Sequence, residues 1–112
     1  MINLDSLGQS NPQVLDNASS TKLRKLAADL AESMSIRFDH SRIENAGADS
    51  LSFLHRGIPA VTIHGLSADA LSMIHTDDDQ PSKVNVGSVY LGYRLALAVL
   101  TRLDGLSCDA YR

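Results

Sequence analysis

The pattern of apolar and polar positions in the first third of the chain predicts a strand, a loop and a helix. Ile2 and Leu4 alternate with polar residues, which predicts a short strand that ends before Gly8. Residues 8–20 are rich in Gly, Ser, Asn and Pro and are predicted to form a loop. An apolar stripe at the helical period predicts the first helix, and it consists of Leu23, Leu26, Ala27, Leu30, Ala31 and Met34.

The remaining pattern predicts two further strands and two further helices. Residues 36–39 alternate and indicate a second short strand, and residues 49–56 suit a short helix. Residues 60–63 form an apolar run typical of a buried strand, and residues 65–79 form a long loop with a possible turn of helix. Residues 86–103 are apolar almost all round, which predicts a last helix buried on more than one face.

The order β, α, β, α, β, α predicts an α/β fold, a three-layer fragment with a largely parallel sheet flanked by helices. The 112 residues, 44% of them hydrophobic, are expected to form one domain. In such sheets, sites form beyond the carboxyl ends of the strands. Asp5 ends the first strand and His75 follows the third, so the two can converge on one edge. His64 ends the third strand and could line a pocket there.

Composition narrows the classes of partner. The net charge is −3 and no basic stripe is visible, which argues against a nucleic-acid partner. No apolar run approaches the ~20 residues of a membrane span, and no secretory signal precedes the first strand. The single Cys108 excludes an internal disulfide and a cysteine-rich zinc finger. Because a strand seldom starts a domain, residues are expected to have preceded Met1.

Asp5 and His75 are the candidate metal ligands, since a carboxylate and a neutral imidazole are ordinary ligands of zinc. Other readings explain the same residues. An Asp at a strand end is usually a cap or a turn residue, and the three acids at residues 77–79 suit a solvated turn.

Three segments together carry a resemblance to a known family. Residues 3–8 read N-L-D-S-L-G, residues 48–59 read A-D-S-L-S-F-L-H-R-G-I-P, and residues 75–79 read H-T-D-D-D. In this order, and with the final helix, they resemble the co-catalytic di-zinc exopeptidases, the family of bacterial leucyl aminopeptidases, glutamate carboxypeptidase II and glutaminyl cyclase. The corresponding family segments are N-L-D-M-x-G, S-D-H-x-x-F-x-x-x-G-I-P and H-T-x-x-D. The resemblance covers the chain to about residue 103.

The resemblance implies a role for five residues. Asp5 would bind one zinc ion and His75 the other, in a site that holds two ions. Asp79 would orient a ligand or fix its loop, and Thr76 would form hydrogen bonds within that loop. Asp49 is expected to hold its loop and helix in place, at or near the helix N-cap. The implied substrate is a peptide or amino-acid derivative, cleaved at its N-terminal bond.

The sequence also departs from the family. Ser50 stands where the family has His, so the substrate or second-layer contact that this His would make is not expected here. The family's earlier H-x-D, with the Asp that bridges both ions, and its Glu-Glu pair, with the general base, are absent. The only Glu residues are Glu32 and Glu44, and neither is suitably positioned. The resemblance therefore implies that this chain is the C-terminal part of a catalytic domain and that the missing N-terminal half is its partner. Alone, the chain is expected to be inactive.

Two alternatives stay open. The chain could be a non-catalytic remnant or interaction module that kept the α/β fold, which Ser50 and the missing half favour. It could also be an unrelated small α/β binding domain, although no glycine-rich phosphate loop supports that reading.

Overall fold

The computed structural model describes residues 1–45 and 47–112, except for the side chain of Cys108. Its strands are β1 (Ile2–Asp5), β2 (Gln13–Leu15), β3 (Asp39–Ser41) and β4 (Val61–His64). Its helices are α1 (Thr21–Ser33), α2 (Ser50–Leu54) and α3 (Val86–Asp104). Single 3₁₀ turns span Asp16–Ala18, Ala70–Ser72, Pro81–Lys83 and Cys108–Tyr111. Within the described part, no helix has the length and apolarity needed to cross a membrane.

The four strands form one mixed sheet in the order β1-β4-β2-β3. β1 runs parallel to β4 and β2 runs parallel to β3, whereas β2 and β4 are antiparallel. The register pairs Ile2 with Val61 and Asp5 with His64, so the last residues of β1 and β4 lie side by side. The predicted α/β class, a sheet flanked by helices, is confirmed.

The two faces of β4 carry different chemistry. Val61 and Ile63 belong to one buried apolar cluster with residues of α1 and α3; its members are Val14, Leu23, Ala27, Ala31, Ile36, Val61, Ile63, Leu95 and Val99. Because side chains alternate along a strand, Thr62 and His64 face the opposite side. There Thr62 contacts Ser50 at the start of α2. The sheet thus separates a large apolar layer from a thinner polar layer.

The predicted loop at residues 8–20 contains the additional strand β2, so that prediction was wrong. Val14 is fully buried and pairs with Ile63 of β4. A strand of three residues shows too few alternations to be recognised from its own sequence. Its extended conformation is stabilised by pairing with β4, a contact that the local pattern does not contain.

The second predicted strand, at residues 36–39, was placed too early, since β3 begins at Asp39. Ile36 instead belongs to the end of α1. Ser35 adopts a positive φ of 54°, and the Ile36 N–H donates to the Ala31 carbonyl at 2.8 Å. This bond, reaching back five residues, and the burial of Ile36 are typical of a Schellman helix end.

The expectation that α3 is buried on several faces was also wrong. Only Gly92, Leu95 and Val99 are buried. A second apolar stripe on the same helix remains open to solvent, and its residues are Val86, Tyr90, Tyr93, Leu97 and Leu100. The predicted beginning of α3 is confirmed, because the Asn85 side chain accepts the Ser88 N–H at 2.9 Å.

Candidate metal centre

A cleft of about 540 Å³ opens at the carboxyl ends of β1 and β4. Four of the five residues singled out from the sequence line it, namely Asp5, Asp49, His75 and Asp79. His64 lines it as well, whereas Thr76 lies beside it without lining it. Asp5 and His75 therefore lie at the same edge of the sheet, because β1 and β4 end side by side and the loops that follow them start there.

Asp5 is the last residue of β1, and its carboxylate is exposed at the cleft. The Ser6 hydroxyl donates to its Oδ1 atom at 3.0 Å. Ser6 itself has a positive φ of 46°, so the chain turns sharply as soon as the strand ends. The turn leaves the Asp5 carboxylate at the rim of the sheet with one oxygen held by a neighbouring hydroxyl.

The loop after β1 is docked against the loop after β4. Gly65 N–H donates to the Ser6 carbonyl at 3.2 Å, and Ser10 N–H donates to the Gly65 carbonyl at 2.8 Å. A Cβ atom at Gly65 would lie 3.0 Å from the Gly8 nitrogen and 3.2 Å from Leu7 Cα. Only glycine permits this approach, so Gly65 fixes the Asp5 loop relative to the segment that leads to His75.

His75 lies at the end of a tight loop with its ring exposed. Its φ is +64°, a conformation that a residue with a side chain rarely adopts. Neither ring nitrogen forms a hydrogen bond within the described residues. The imidazole is therefore presented to the cleft with both nitrogens available to a ligand.

Thr76 organises the loop around His75 through three hydrogen bonds. Its hydroxyl donates to the Met73 carbonyl at 2.6 Å and accepts the Asp78 N–H at 3.3 Å. Its carbonyl accepts the Asp79 N–H at 3.1 Å. These bonds connect the residues on both sides of His75 and carry Asp79 to the wall of the cleft.

His64 has a structural role. Its Nδ1 accepts the Leu66 N–H at 3.1 Å, so the proton must sit on Nε2, which donates to Ser41 Oγ at 2.5 Å. The Ser41 hydroxyl donates in turn to the Val14 carbonyl at 3.2 Å. Burial lowers the pKa of His64, and the nearby Asp5 carboxylate opposes this less strongly. His64 is thus neutral at pH 7, with both nitrogens occupied, and is unavailable to a metal.

Ser50 occupies a buried position, which explains how this chain accommodates the departure from the family sequence. It is fully buried, and its Oγ donates to the Ala18 carbonyl at 2.8 Å. Since its one proton is used there, Thr62 Oγ1 must donate across the 2.6 Å contact between the two hydroxyls. The Asn3 amide then donates to Thr62 Oγ1 at 3.3 Å. This chain of bonds connects β1, β4, α2 and the turn before α1.

The expected role of Asp49 is corrected in part. Asp49 does precede the first residue of α2, but its side chain makes no capping hydrogen bond and its own backbone is helical, with φ −58° and ψ −30°. Ser50 anchors α2 instead. Sequence analysis missed this role, because a buried serine with partners at residues 18 and 62 has no local sequence signal.

The donors in the cleft suit zinc, although the set is incomplete. Three carboxylates, those of Asp5, Asp49 and Asp79, accompany the His75 imidazole and favour a cation. Among residues 1–45 and 47–112, no group of three or more His, Cys, Asp or Glu side chains is arranged to hold a metal ion. Within the described residues, Asp5 and His75 therefore do not form a complete metal site.

This fold and cleft define an α/β domain with donors for a metal at the carboxyl edge of its sheet. The sequence profile of peptidase family M28 matches residues 1–100, and the chain belongs to that family. The resemblance to the co-catalytic di-zinc exopeptidases is thereby confirmed. A search of the curated proteins found no matching sequence.

The solved structures that share the fold include two of LapA from Legionella pneumophila, one of which is described as an aminopeptidase. Each is 24% identical to this chain. The first has a TM-score of 0.82 and the match covers 91% of this chain and 31% of LapA. The second has a TM-score of 0.78 and covers 88% and 29%. The chain thus spans about a third of the length of the structures it matches.

Proposed function

We propose that this chain is the C-terminal portion of a zinc-dependent aminopeptidase-like catalytic domain, and that residues 1–112 form one partial domain. Asp5 binds one of two zinc ions and His75 binds the other. The observation that carries this proposal is that both side chains line one cleft at the carboxyl ends of β1 and β4, in a chain that belongs to peptidase family M28.

The residues around the two ligands position them. The Ser6 hydroxyl holds one oxygen of the Asp5 carboxylate, which leaves the other oxygen for a metal. The bonds of Thr76 fix the backbone on both sides of His75, and Asp79 is held on the same loop. Zinc, when bound, supplies a Lewis acid that polarises a peptide carbonyl and lowers the pKa of water.

No glutamate of the chain is placed to act as the general base. Glu32 is exposed on α1, and Glu44 pairs with Arg42 at 2.7 Å. Neither Glu lines the cleft. The base and the remaining ligands therefore come from a part of an M28 domain that this chain does not contain, and the chain alone has no peptidase activity.

Zinc binding and turnover test the proposal directly. The purified chain should bind zinc weakly and should not hydrolyse an amino-acid anilide. Co-expression with the part of LapA that this chain does not match should raise the zinc affinity. Asp5→Asn and His75→Asn should each remove that gain, whereas His55→Asn, at an exposed position outside the cleft, should not. Turnover by the chain alone, or ligand variants that bind zinc like the parent chain, would refute it.

A non-catalytic remnant is the second candidate, and one observation favours it. Ser50 replaces the family's His with a residue that is fully buried and hydrogen-bonded, so this position presents nothing to a substrate. A remnant would keep the fold and gain no zinc affinity from the LapA polypeptide, which separates the two candidates in the same experiment.

A further inference from the structure

The single 3₁₀ turn at residues 16–18 follows β2 directly and is held from two sides. Asp16 Oδ1 lies 3.2 Å from a guanidinium nitrogen of Arg24 on α1. Just after the turn, the Ser19 hydroxyl accepts the Thr62 N–H of β4 at 2.9 Å, and both residues are buried. The turn is therefore fixed to α1 and to the sheet, and it can support other segments.

Each residue of this turn holds one point of the segment that runs from β3 to α2. The three contacts are Asp16 Oδ1 to His40 Nδ1 at 2.9 Å, the Asn17 amide to the Ile43 backbone, and the Ala18 carbonyl to the Ser50 hydroxyl at 2.8 Å. The partners lie 24, 26 and 32 residues away in sequence. The first contact is on β3 and the last is at the start of α2, whereas the middle one is at the cleft, because Ile43 lines it.

The Asn17 side chain pairs with both backbone groups of Ile43. Asn17 Nδ2 donates to the Ile43 carbonyl at 3.0 Å, and the Ile43 N–H donates to Asn17 Oδ1 at 3.4 Å. A side-chain amide carries a donor and an acceptor, so it can replace the partner residue of a neighbouring strand. Ile43 lies between the end of β3 at Ser41 and the start of α2 at Ser50, outside both elements. The amide of Asn17 thus takes the place of a backbone partner there.

The residues on either side of Ile43 do not line the cleft. Arg42 and Glu44 are exposed, and their side chains pair with each other at 2.7 Å. An exposed ion pair of this kind stabilises little, so it does not fix the backbone between them. Ile43, which is half-buried, therefore depends on Asn17 for its position.

We propose that Asn17 is a positioning residue of the candidate metal centre: its amide clips Ile43 and so fixes one wall of the cleft that also contains Asp5 and His75. Asn17 does not line the cleft itself, so it acts through Ile43. The position of this wall limits which groups can bind beside the donors. The inference rests on the proposed function, since it concerns how that same site receives its substrate.

Amide hydrogen exchange tests the clip in the full 112-residue chain. Asn17→Ala removes both bonds, so the Ile43 amide should exchange roughly tenfold faster than in the parent chain. Asn11→Ala is the matched control, because Asn11 is also half-buried and lies outside the cleft. It should leave the Ile43 rate unchanged. Circular dichroism verifies that the variants fold.

Turnover separates positioning from a purely structural role. The assay uses leucine p-nitroanilide and the chain co-expressed with the part of LapA that it does not match. Asn17→Ala should raise KM about fivefold or more and leave kcat within about twofold, because it removes binding and not chemistry. Zinc affinity should not change. A structural role would instead lower the active fraction, and so the apparent kcat, at constant KM.

A double variant tests whether Asn17 acts through Ile43. Ile43→Ala removes the wall side chain and should also raise KM. Since the clip has nothing left to position, adding Asn17→Ala to it should raise KM by less than about twofold more. Multiplicative effects of the two substitutions would overturn the proposal.

The remaining outcomes distinguish this inference from the proposed function. A parent complex without turnover would refute the proposed function, and the Ile43 exchange rates would then decide the clip by themselves. An Ile43 amide that exchanges equally fast in Asn17→Ala and the parent would overturn the clip in either case. So would a loss of kcat at constant KM, or a failure of Asn17→Ala to fold, since both would show a role in the framework and not in the cleft.

Discussion

The direction of the buried hydrogen-bond chain makes a prediction about Ser50 and Thr62. Ser50→Ala removes the donor to the Ala18 carbonyl and the acceptor of the Thr62 hydroxyl. The Ala18 carbonyl then loses its Ser50 donor and the Thr62 hydroxyl has no acceptor for its proton, both in a fully buried place. Thr62→Val removes the bond between the Thr62 and Ser50 hydroxyls, and it removes the acceptor of the Asn3 side-chain amide. That amide is half-buried at the cleft and can bond to water instead. The two substitutions should therefore differ in cost.

The magnitudes follow from the number of buried groups left unpaired. Each such group costs about 1–3 kcal/mol, so Ser50→Ala, which leaves two of them, should lower the free energy of unfolding by about 2–6 kcal/mol. Thr62→Val should lower it by about 1 kcal/mol, since Ser50 keeps its bond to Ala18. In the double variant the Thr62 hydroxyl is already gone. The double variant should be no less stable than Ser50→Ala alone, a departure from additivity of about 1 kcal/mol.

Urea unfolding followed by circular dichroism measures these differences. Ser33→Ala is the matched control, because its hydroxyl also donates to a backbone carbonyl at 2.8 Å but is exposed, and it should change stability by less than about 0.5 kcal/mol. Equal costs for Ser50→Ala and Thr62→Val, or strictly additive costs in the double variant, would refute the donor order deduced for this chain of bonds.

Three further predictions concern stability. Burial lowers the pKa of His64 in the folded chain, so the unfolded chain takes up a proton at this residue at a higher pH. The free energy of unfolding should therefore be highest above about pH 6.5 and should fall below it by up to ~1.4 kcal/mol per pH unit, until the folded pKa is reached. His64→Gln should flatten this pH dependence in urea titrations. Gly65→Ala should cost about 1–3 kcal/mol because its Cβ would meet backbone, whereas Gly105→Ala, with open space around its Cβ, should be nearly neutral. A chelator should leave the urea midpoint of the isolated chain unchanged, since weak zinc binding adds little stability, and a lowered midpoint would show a tighter site.

The elements that sequence analysis predicted well carry their own signal. The stripe that begins at Leu23 needs no partner to be recognised as a helix, and the Asn85 cap marks the start of α3 within its own first turn. β2 and the end of α1 were mispredicted because their conformations depend on distant partners and on a single residue, Ser35, with positive φ. Local periodicity contains neither kind of information.

The candidate site also contains residues that the sequence identifies and residues that only the structure identifies. Asp5 and His75 could be found because each follows a strand, and parallel strand ends meet at one edge. The residues that position these two side chains could not be found from the sequence. Ser50, Thr62 and Gly65 act through contacts with residues far away in sequence, and serine, threonine and glycine are too common to stand out. Their roles appear only once the strands are paired.

The distribution of satisfied and unsatisfied groups separates folding from function in this chain. The buried polar groups beside the cleft, those of Ser50, Thr62 and His64, find partners within the chain. Two buried side-chain atoms at the start of α1, Ser20 Oγ and Arg24 Nε, have no hydrogen-bond partner among the described residues. The surface groups that remain open to a partner lie at the unpaired edge of β1, the exposed apolar stripe of α3, and the Asp5 and His75 side chains. All three flank the strand β1 or its carboxyl end.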